Sequence, residues 1–361
     1  MMFFRGRGMP NPAQPFMLVF VLAIGAAATG CQSEDAATSP VERPTVSEST
    51  AAQNTAGRPK SRTFELDYGV TVNDVPEGSR LRVWLPMPQT TAAQQIRQLR
   101  QQVPVEPKQT TESKYGNRML HFDLKPSSPR PITFQVTWQI TRNEVLGLDT
   151  VDPAAGLDDA ERKIYLAANL KVPIAGKPLT LIDPNRLSRE NPIELGRSLY
   201  EQVDSHMRYD KSKPGYGNGD VLWACDSGFG NCTDFHSLFI SWARSQDLPA
   251  RFEIGFPLPP DRGEGKIGGY HCWAQFHVDG HGWVPTDISE ADKHPALKSY
   301  YFGNLSENRV QFTIGRDITL EPAQDGDPLN YFIYPHIEVD GKTWSVDKTE
   351  RTFAFRDKVD G

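Results

Sequence analysis

The sequence predicts an α+β protein in which an all-β region precedes a core made of a cysteine-bearing helix packed on an antiparallel sheet. Three observations predict it. Residues 63–145 contain runs in which apolar and polar side chains alternate with period two. Residues 232–243 place apolar side chains at helical spacing directly behind a glycine-rich turn. Residues 250–287 then return to alternation around the turn sequence Asp279-Gly280-His281-Gly282.

Composition narrows the function classes. The chain has 361 residues, 38% hydrophobic and 23% charged, which excludes a long disordered chain, a collagen and a multi-span membrane protein. Net charge is −6, from 45 acidic and 39 basic residues, and no basic block is present. A nucleic-acid backbone rewards a concentrated cationic face, so nucleic acid is not an expected partner. Gly and Pro, at 29 each, favour turns and strands over a helical bundle.

The N-terminus reads as an address. Arg5 and Arg7 precede an apolar run over residues 16–28, the length of a signal-peptide core and short for a membrane span. The run closes on Ala28-Thr29-Gly30-Cys31. This resembles a bacterial lipobox, although Ala28 stands where leucine is usual; plain secretion with cleavage nearby is the other reading. The resemblance implies that residues 1–31 are a lipoprotein-type signal peptide and that Cys31 is lipidated. Gln32 at the next position favours the outer membrane, with the protein facing the periplasm. Residues 32–62 are rich in Ser, Thr, Ala, Glu and Pro. They bury too little apolar surface to offset their ordering entropy and are expected to form a flexible tether.

The β region, residues 63–145, is expected to pack or recognise without chemistry. Leu81, Val83 and Leu85 alternate with Arg82 and Trp84, and Phe134, Val136, Trp138 and Ile140 share one strand face. Residues 92–102 between them suit a short polar helix. The core is expected over residues 146–308. Asn191-Pro192 starts a helix whose stripe is Leu195, Leu199, Val203 and Met207, and residues 215–219 form a loop. A strand-rich extension, residues 309–361, contributes runs at 310–314, 330–334 and 336–341, with Asp340-Gly341 as a hairpin turn.

Asn231 is a good N-cap, so Cys232 falls in the first turn of the next helix, where free N–H groups and the helix dipole favour the thiolate. A packed core cysteine is the bland alternative. Antiparallel pairing across the hairpin of residues 270–287 sets His271 opposite a position close to Asp287, bringing carboxylate and imidazole together. Cys232, His271 and Asp287 would then form a Cys–His–Asp triad, with a first-turn N–H as the oxyanion donor. His236, four residues after Cys232, is the rival base, and packing or hydrogen bonding is its expected role. His277 and His281, at the far end of the hairpin, are expected on the surface.

Residues 230–256 (GNCTDFHSLFISWARSQDLPARFEIGF) and 269–289 (GYHCWAQFHVDGHGWVPTDIS) resemble the core of the transglutaminase-like superfamily in its exported bacterial branch. The resemblance covers about residues 194–289 and implies a papain-like core. It makes Cys232 the nucleophile, His271 the base and later acid, and Asp287 the orienter. Trp223 is a candidate for the extra oxyanion tryptophan of animal members. No calcium loop is evident and no cofactor or metal is expected.

Of four cysteines, Cys225 and Cys272 remain, and in an oxidising compartment they could form a disulfide or stay as independent thiols. Two other classes stay open. Cys225, Cys232, His236, His271 and Cys272 could hold zinc in a structural module, or the fold could be a non-catalytic binding or scaffold member. The expected function is that of an exported thiol enzyme acting on peptide or protein amides, by hydrolysis or by transamidation, held to the membrane by its lipid.

Overall fold

The computed structural model describes residues 59–358. The expected signal peptide, Cys31 and the expected tether up to residue 58 lie outside the described residues. Among the described residues no helix is long and apolar enough to cross a membrane.

Six strands come first: β1 (Ser61–Val72), β2 (Leu81–Pro86), β3 (Gln94–Gln102), β4 (Lys108–Thr111), β5 (Arg118–Leu124) and β6 (Ile132–Asn143). Four helices follow: α1 (Asp159–Leu166), α2 (Pro192–His206), α3 (Val221–Ser227) and α4 (Cys232–Ser245). Strands β7 (Ala250–Pro257), β8 (Glu264–Lys266), β9 (His271–Val278) and β10 (Gly282–Thr286) lead to helix α5 (Ile288–Lys293). The chain ends on β11 (Arg309–Ile314), β12 (His336–Val339), β13 (Lys342–Thr343) and β14 (Thr349–Asp357).

Two antiparallel five-stranded sheets, β8-β14-β1-β6-β3 and β13-β12-β2-β5-β4, face each other. Phe122 and Phe134 meet between them, with ring centroids 4.8 Å apart. The alternation of β6 buries Phe134, Val136, Trp138 and Ile140 completely. In β2 both faces are buried: Leu81, Val83 and Leu85 join the main core, whereas Trp84 belongs to a second cluster with Met119, Ile318, Leu320 and Phe332. A third sheet, β10-β9-β7-β11, carries the site. The buried side of α4 packs on it, with Phe239 6.2 Å from Phe276 between ring centroids.

The expected divisions at 145/146 and 308/309 are not breaks between bodies. Strand β14 runs beside β1 from Phe64↔Asp357 to Val72↔Thr349, β12 pairs with β2, and β11 pairs with β7. Strands β14 and β12 thus cover edges of sheets begun hundreds of residues earlier, and β11 covers the edge of β7, edges that would otherwise present unpaired N–H and C=O groups. The tether ends sooner than expected as well. Ser61 and Arg62 already belong to β1, and the Arg62 Nε donates to Asp357 Oδ1 at 2.7 Å in a buried pair.

Residues 92–102 are not a helix. They contain β3, paired with β6, and a bulge at Leu99 shifts the register between Gln98 and Arg100. The bulge places Gln94, Ile96, Leu99 and Gln101 on the shielded face, which turns a strand spacing of two into the three-residue step that mimics a helix. Residues 330–334 are not a strand either. Side chains satisfy their backbone: the Tyr68 hydroxyl donates to the Ile333 carbonyl at 2.8 Å, and Thr313 Oγ1 donates to the Phe332 carbonyl. Phe332 and Ile333 enter two different cores, so no single ladder accommodates both. The hairpin at Asp340-Gly341 joins β12 to β13 with both turn residues at positive φ, 49° and 77°, as a type I′ turn requires.

Candidate active site at the head of α4

Cys232 opens α4 behind a reciprocal cap. Asn231 Oδ1 accepts the Thr233 N–H at 2.9 Å, and Asp234 Oδ2 accepts the Asn231 N–H at 2.9 Å. The cap holds the first turn so that its free N–H groups and the positive end of the dipole lie beside the sulfur. Asp234 also accepts the N–H groups of Gly217 at 2.7 Å and Gly219 at 2.9 Å. The glycine loop before α3 is therefore tied to the same turn.

His271 opens β9, opposite Gly255 of β7. Its Nε2 lies 2.7 Å from Asp287 Oδ2, which leaves Nδ1 for the Cys232 thiol, within hydrogen-bonding reach of the ring. The encounter differs from the cross-strand pairing expected. In the hairpin Ala274 faces Thr286 and Gln275 faces Pro285, so the register carries Asp287 past the last paired residue. Asp287 instead caps α5: its Oδ1 accepts from the Glu290 N–H and the Ser289 hydroxyl, each at 3.3 Å. The carboxylate reaches back to His271 from the helix start.

Arg309 completes this group. Its Nη1 donates to Asp287 Oδ2 at 2.9 Å, and its guanidinium lies 4.9 Å from the Trp273 ring centroid. Asp287 is fully buried, which by itself opposes ionisation. The charge and hydrogen bond of His271 and the charge of Arg309 outweigh that and hold the carboxyl well below its ordinary range. Burial likewise opposes protonation of His271, yet Asp287 and then Cys232 raise its pKa to about 10. For Cys232, burial is outweighed by hydrogen bonds from Cys272 and His271 and by the His271 charge, and the thiol sits well below its ordinary value. Both shifts favour thiolate and imidazolium over thiol and neutral ring.

His236 is fully buried on α4. Its Nε2 accepts the Ile288 N–H at 3.0 Å, with Asp287 Oδ1 at 3.8 Å and Cys272 Sγ 3.8 Å from Nδ1. Burial lowers its pKa to about 4, so it is neutral, and the lone pair a general base would use is already engaged. It holds the segment that carries Asp287. Cys225 and Cys272 are free thiols. The disulfide considered for them is not formed, because Cys272 turns to α4, with its sulfur 3.8 Å from Thr233 Oγ1. Among the described residues no three His, Cys, Asp or Glu side chains converge as metal ligands do. His271 and His236 each commit a ring nitrogen elsewhere. Trp223 packs edge-on against Phe229, centroids 5.3 Å apart.

The far-end histidines are not both at the surface. His277 is buried against Trp283, centroids 5.1 Å apart, and His281 Nε2 donates to the Gly147 carbonyl at 2.7 Å. The hairpin's own Trp283 and a backbone carbonyl from outside it cover a tip that looks polar in isolation. Sequence reasoning missed Arg309 and Tyr270. Arg309 stands 22 residues beyond Asp287, in the segment assigned to the extension, with no local signal. The Tyr270 hydroxyl lies 2.8 Å from Thr233 Oγ1 and 3.1 Å from Asn231 Nδ2, beside Cys232; only its place next to His271 could have pointed to it.

Residues 184–288 match the model of the transglutaminase-like superfamily. The chain carries a transglutaminase-like core. The match runs through α2, the head of α4 and the β9–β10 hairpin to the start of α5, and it stops short of Arg309. A protein of uncharacterised function from Haemophilus influenzae is 27% identical over 307 residues, 74% of this chain and 83% of that one. The fold also resembles a candidate cysteine protease from Cytophaga hutchinsonii, with a TM-score of 0.51 and 13% identity, over 84% of this chain and 99% of that one. The periplasmic domain of TgpA from Pseudomonas aeruginosa aligns over 68% of this chain and 91% of its own, with 16% identity and a TM-score of 0.36. The match of residues 184–288 supports a thiol enzyme as the general kind, and the likeness to the Cytophaga protein shows the fold alone.

The protonation pattern gives a testable pH dependence. With the His271 pKa raised to about 10, the imidazolium persists through neutrality and is lost only as pH rises through that value. A rate that needs the imidazolium as acid therefore falls above pH 10 and not near 7. Asp287→Asn removes the charge that raises the pKa, and the alkaline limb of kcat/KM should move down toward the ordinary histidine range near pH 6.5. A pH–rate profile of both proteins checks this; an unmoved alkaline limb would refute the assignment.

Proposed function

We propose that the protein is an exported thiol enzyme that opens amides through an acyl-enzyme on Cys232. The observation that carries this reading is the continuous contact from the Cys232 thiol through His271 to Asp287 and Arg309. In the proposed reaction the thiolate attacks the amide carbonyl and the Cys232 backbone N–H receives the oxyanion. His271 then protonates the leaving amine as the C–N bond breaks, which leaves a thioester. A second nucleophile, deprotonated by the now neutral His271, attacks the thioester; the C–S bond breaks, and the Cys232 thiolate and His271 imidazolium are restored. Asp287 keeps the ring oriented and stabilises its charge.

With water as the second nucleophile the enzyme is a peptidase or amidase; with an amine it is a transglutaminase. We favour hydrolysis of a peptide or protein, by resemblance to the exported bacterial members. Residues 1–31 would direct export, and a lipid on Cys31 would hold the enzyme at the outer membrane, facing the periplasm. Mass spectrometry of the purified protein with a peptide library, with and without a primary amine, tests the chemistry. Cleaved products support hydrolysis and amine adducts support transfer. An unchanged library in both arms would overturn the proposal.

A further inference from the structure

A groove of about 450 Å³ is lined at one point by Tyr270, the residue before His271. The Tyr270 hydroxyl is hydrogen-bonded to Thr233 and Asn231, the two neighbours of Cys232 in the chain. One wall is Pro257, Leu258 and Pro259 at the end of β7. Gly268 and Gly269 also line it, and an added Cβ at either would meet nothing within 4 Å. Backbone is therefore open to the groove two residues before His271, as an extended peptide needs in order to lie alongside it.

The charge of the groove is one-sided. Lys211 and Lys266 line it, and no carboxylate does. Lysine ion pairs among the described residues are made by Lys177, Lys293, Lys298 and Lys358, so Lys211 and Lys266 have none. Both are exposed. In a chain of net charge −6, two lysines without ion pairs in a groove that no carboxylate lines form a local exception. Fields of this kind select a partner of opposite sign.

We propose that this groove is the substrate subsite and that it selects acidic peptides, the substrate carboxylates pairing with Lys211 and Lys266 while the main chain runs along Gly268 and Gly269 toward Cys232. The proposal rests on the thiol-enzyme reading for the purpose of the groove but not for its charge selectivity, and the test separates the two. Binding is measured by fluorescence anisotropy on the full chain carrying Cys232→Ala, so that no turnover intervenes. The probes are fluorescein-labelled octapeptides identical except for a set of glutamates, glutamines or lysines. The glutamate peptide should bind about fivefold more tightly than the glutamine peptide, the scale that two exposed ion pairs supply. The lysine peptide should bind most weakly. The preference should shrink to less than about twofold when salt is raised from roughly 50 to 500 mM.

In the same background, Lys211→Glu combined with Lys266→Glu should reverse the order of the three peptides. An order that survives the double reversal, or no difference among the peptides at low salt, would overturn the subsite. Wild-type protein assayed with the same peptides supplies the other arm. Selective binding without turnover would sink the thiol-enzyme reading and leave the groove standing; turnover indifferent to charge would do the opposite.

Discussion

Cys232→Ala should abolish turnover and leave the fold intact. The sulfur is the atom that would bond to the acyl group, and no other thiol can replace it. Cys272, the nearest, has its pKa raised above all by burial, which Cys232→Ala leaves in place, and this favours its protonated form. Truncating a first-turn residue leaves the Asn231–Asp234 cap untouched, and with it the start of α4. The loss in kcat should be of the size seen when a triad nucleophile is removed, on the order of 10⁶-fold. His271→Ala should cost nearly as much, since the thiolate loses both its counter-ion and its proton carrier. Asp287→Ala should cost less, because it removes an orienting charge and not a reacting group. Wild-type rates in Cys232→Ala, with folding checked by circular dichroism, would end the mechanism.

Gly255→Ala should destroy much of the stability without touching a reacting group. Gly255 pairs with His271 on one side, and on the other it meets β11 where the register shifts between Ile254 and Gly255. Phe312 is the extra residue there, and the bulge swings the Val310 carbonyl over the glycine. An added Cβ would lie 1.7 Å from the Val310 oxygen. The obstacle is backbone, which cannot swing aside as a side chain can. Relief requires β7 and β11 to part, and β11 carries Arg309. The cost should be on the order of 3 kcal/mol, which is roughly 6 °C in Tm for a body of this size. Gly326→Ala, with no atom within 4 Å of the added Cβ, serves as the control and should leave Tm within about 1 °C. Equal melting of the two variants would show that the close approach at Gly255 is not what demands glycine.

The reach of the sequence ends where local physics ends. The head of α4 was legible because a cap, a helical stripe and a glycine turn all act within about a dozen residues. The strand that His271 opens was legible from its alternation. The meeting of His271 with Asp287 was expected for a reason that holds only in part. The hairpin does bring the two chain segments together, but the side chains meet because Asp287 caps α5 and turns back. The polar strand β3 was unreadable as a strand because one bulged residue changed its period. The run at 330–334 looked like a strand because its side chains are aromatic and branched, a preference that packing into two separate cores overrides.

By itself, then, the sequence determined the α+β class, the helix that begins at Cys232, the hairpin that follows and the identity of the reactive residue types. These depend on periodicity and capping, whose range is a few residues. Only the tertiary structure decided that C-terminal strands complete sheets begun early in the chain, that Arg309 joins Asp287, that Cys272 faces α4 instead of Cys225, and that two lysines without ion pairs line one groove with two bare glycines. Each of these is a contact between segments far apart in the chain. It is set by which sheet edges and buried charges find partners when the whole chain condenses, and no local pattern of residues encodes that choice.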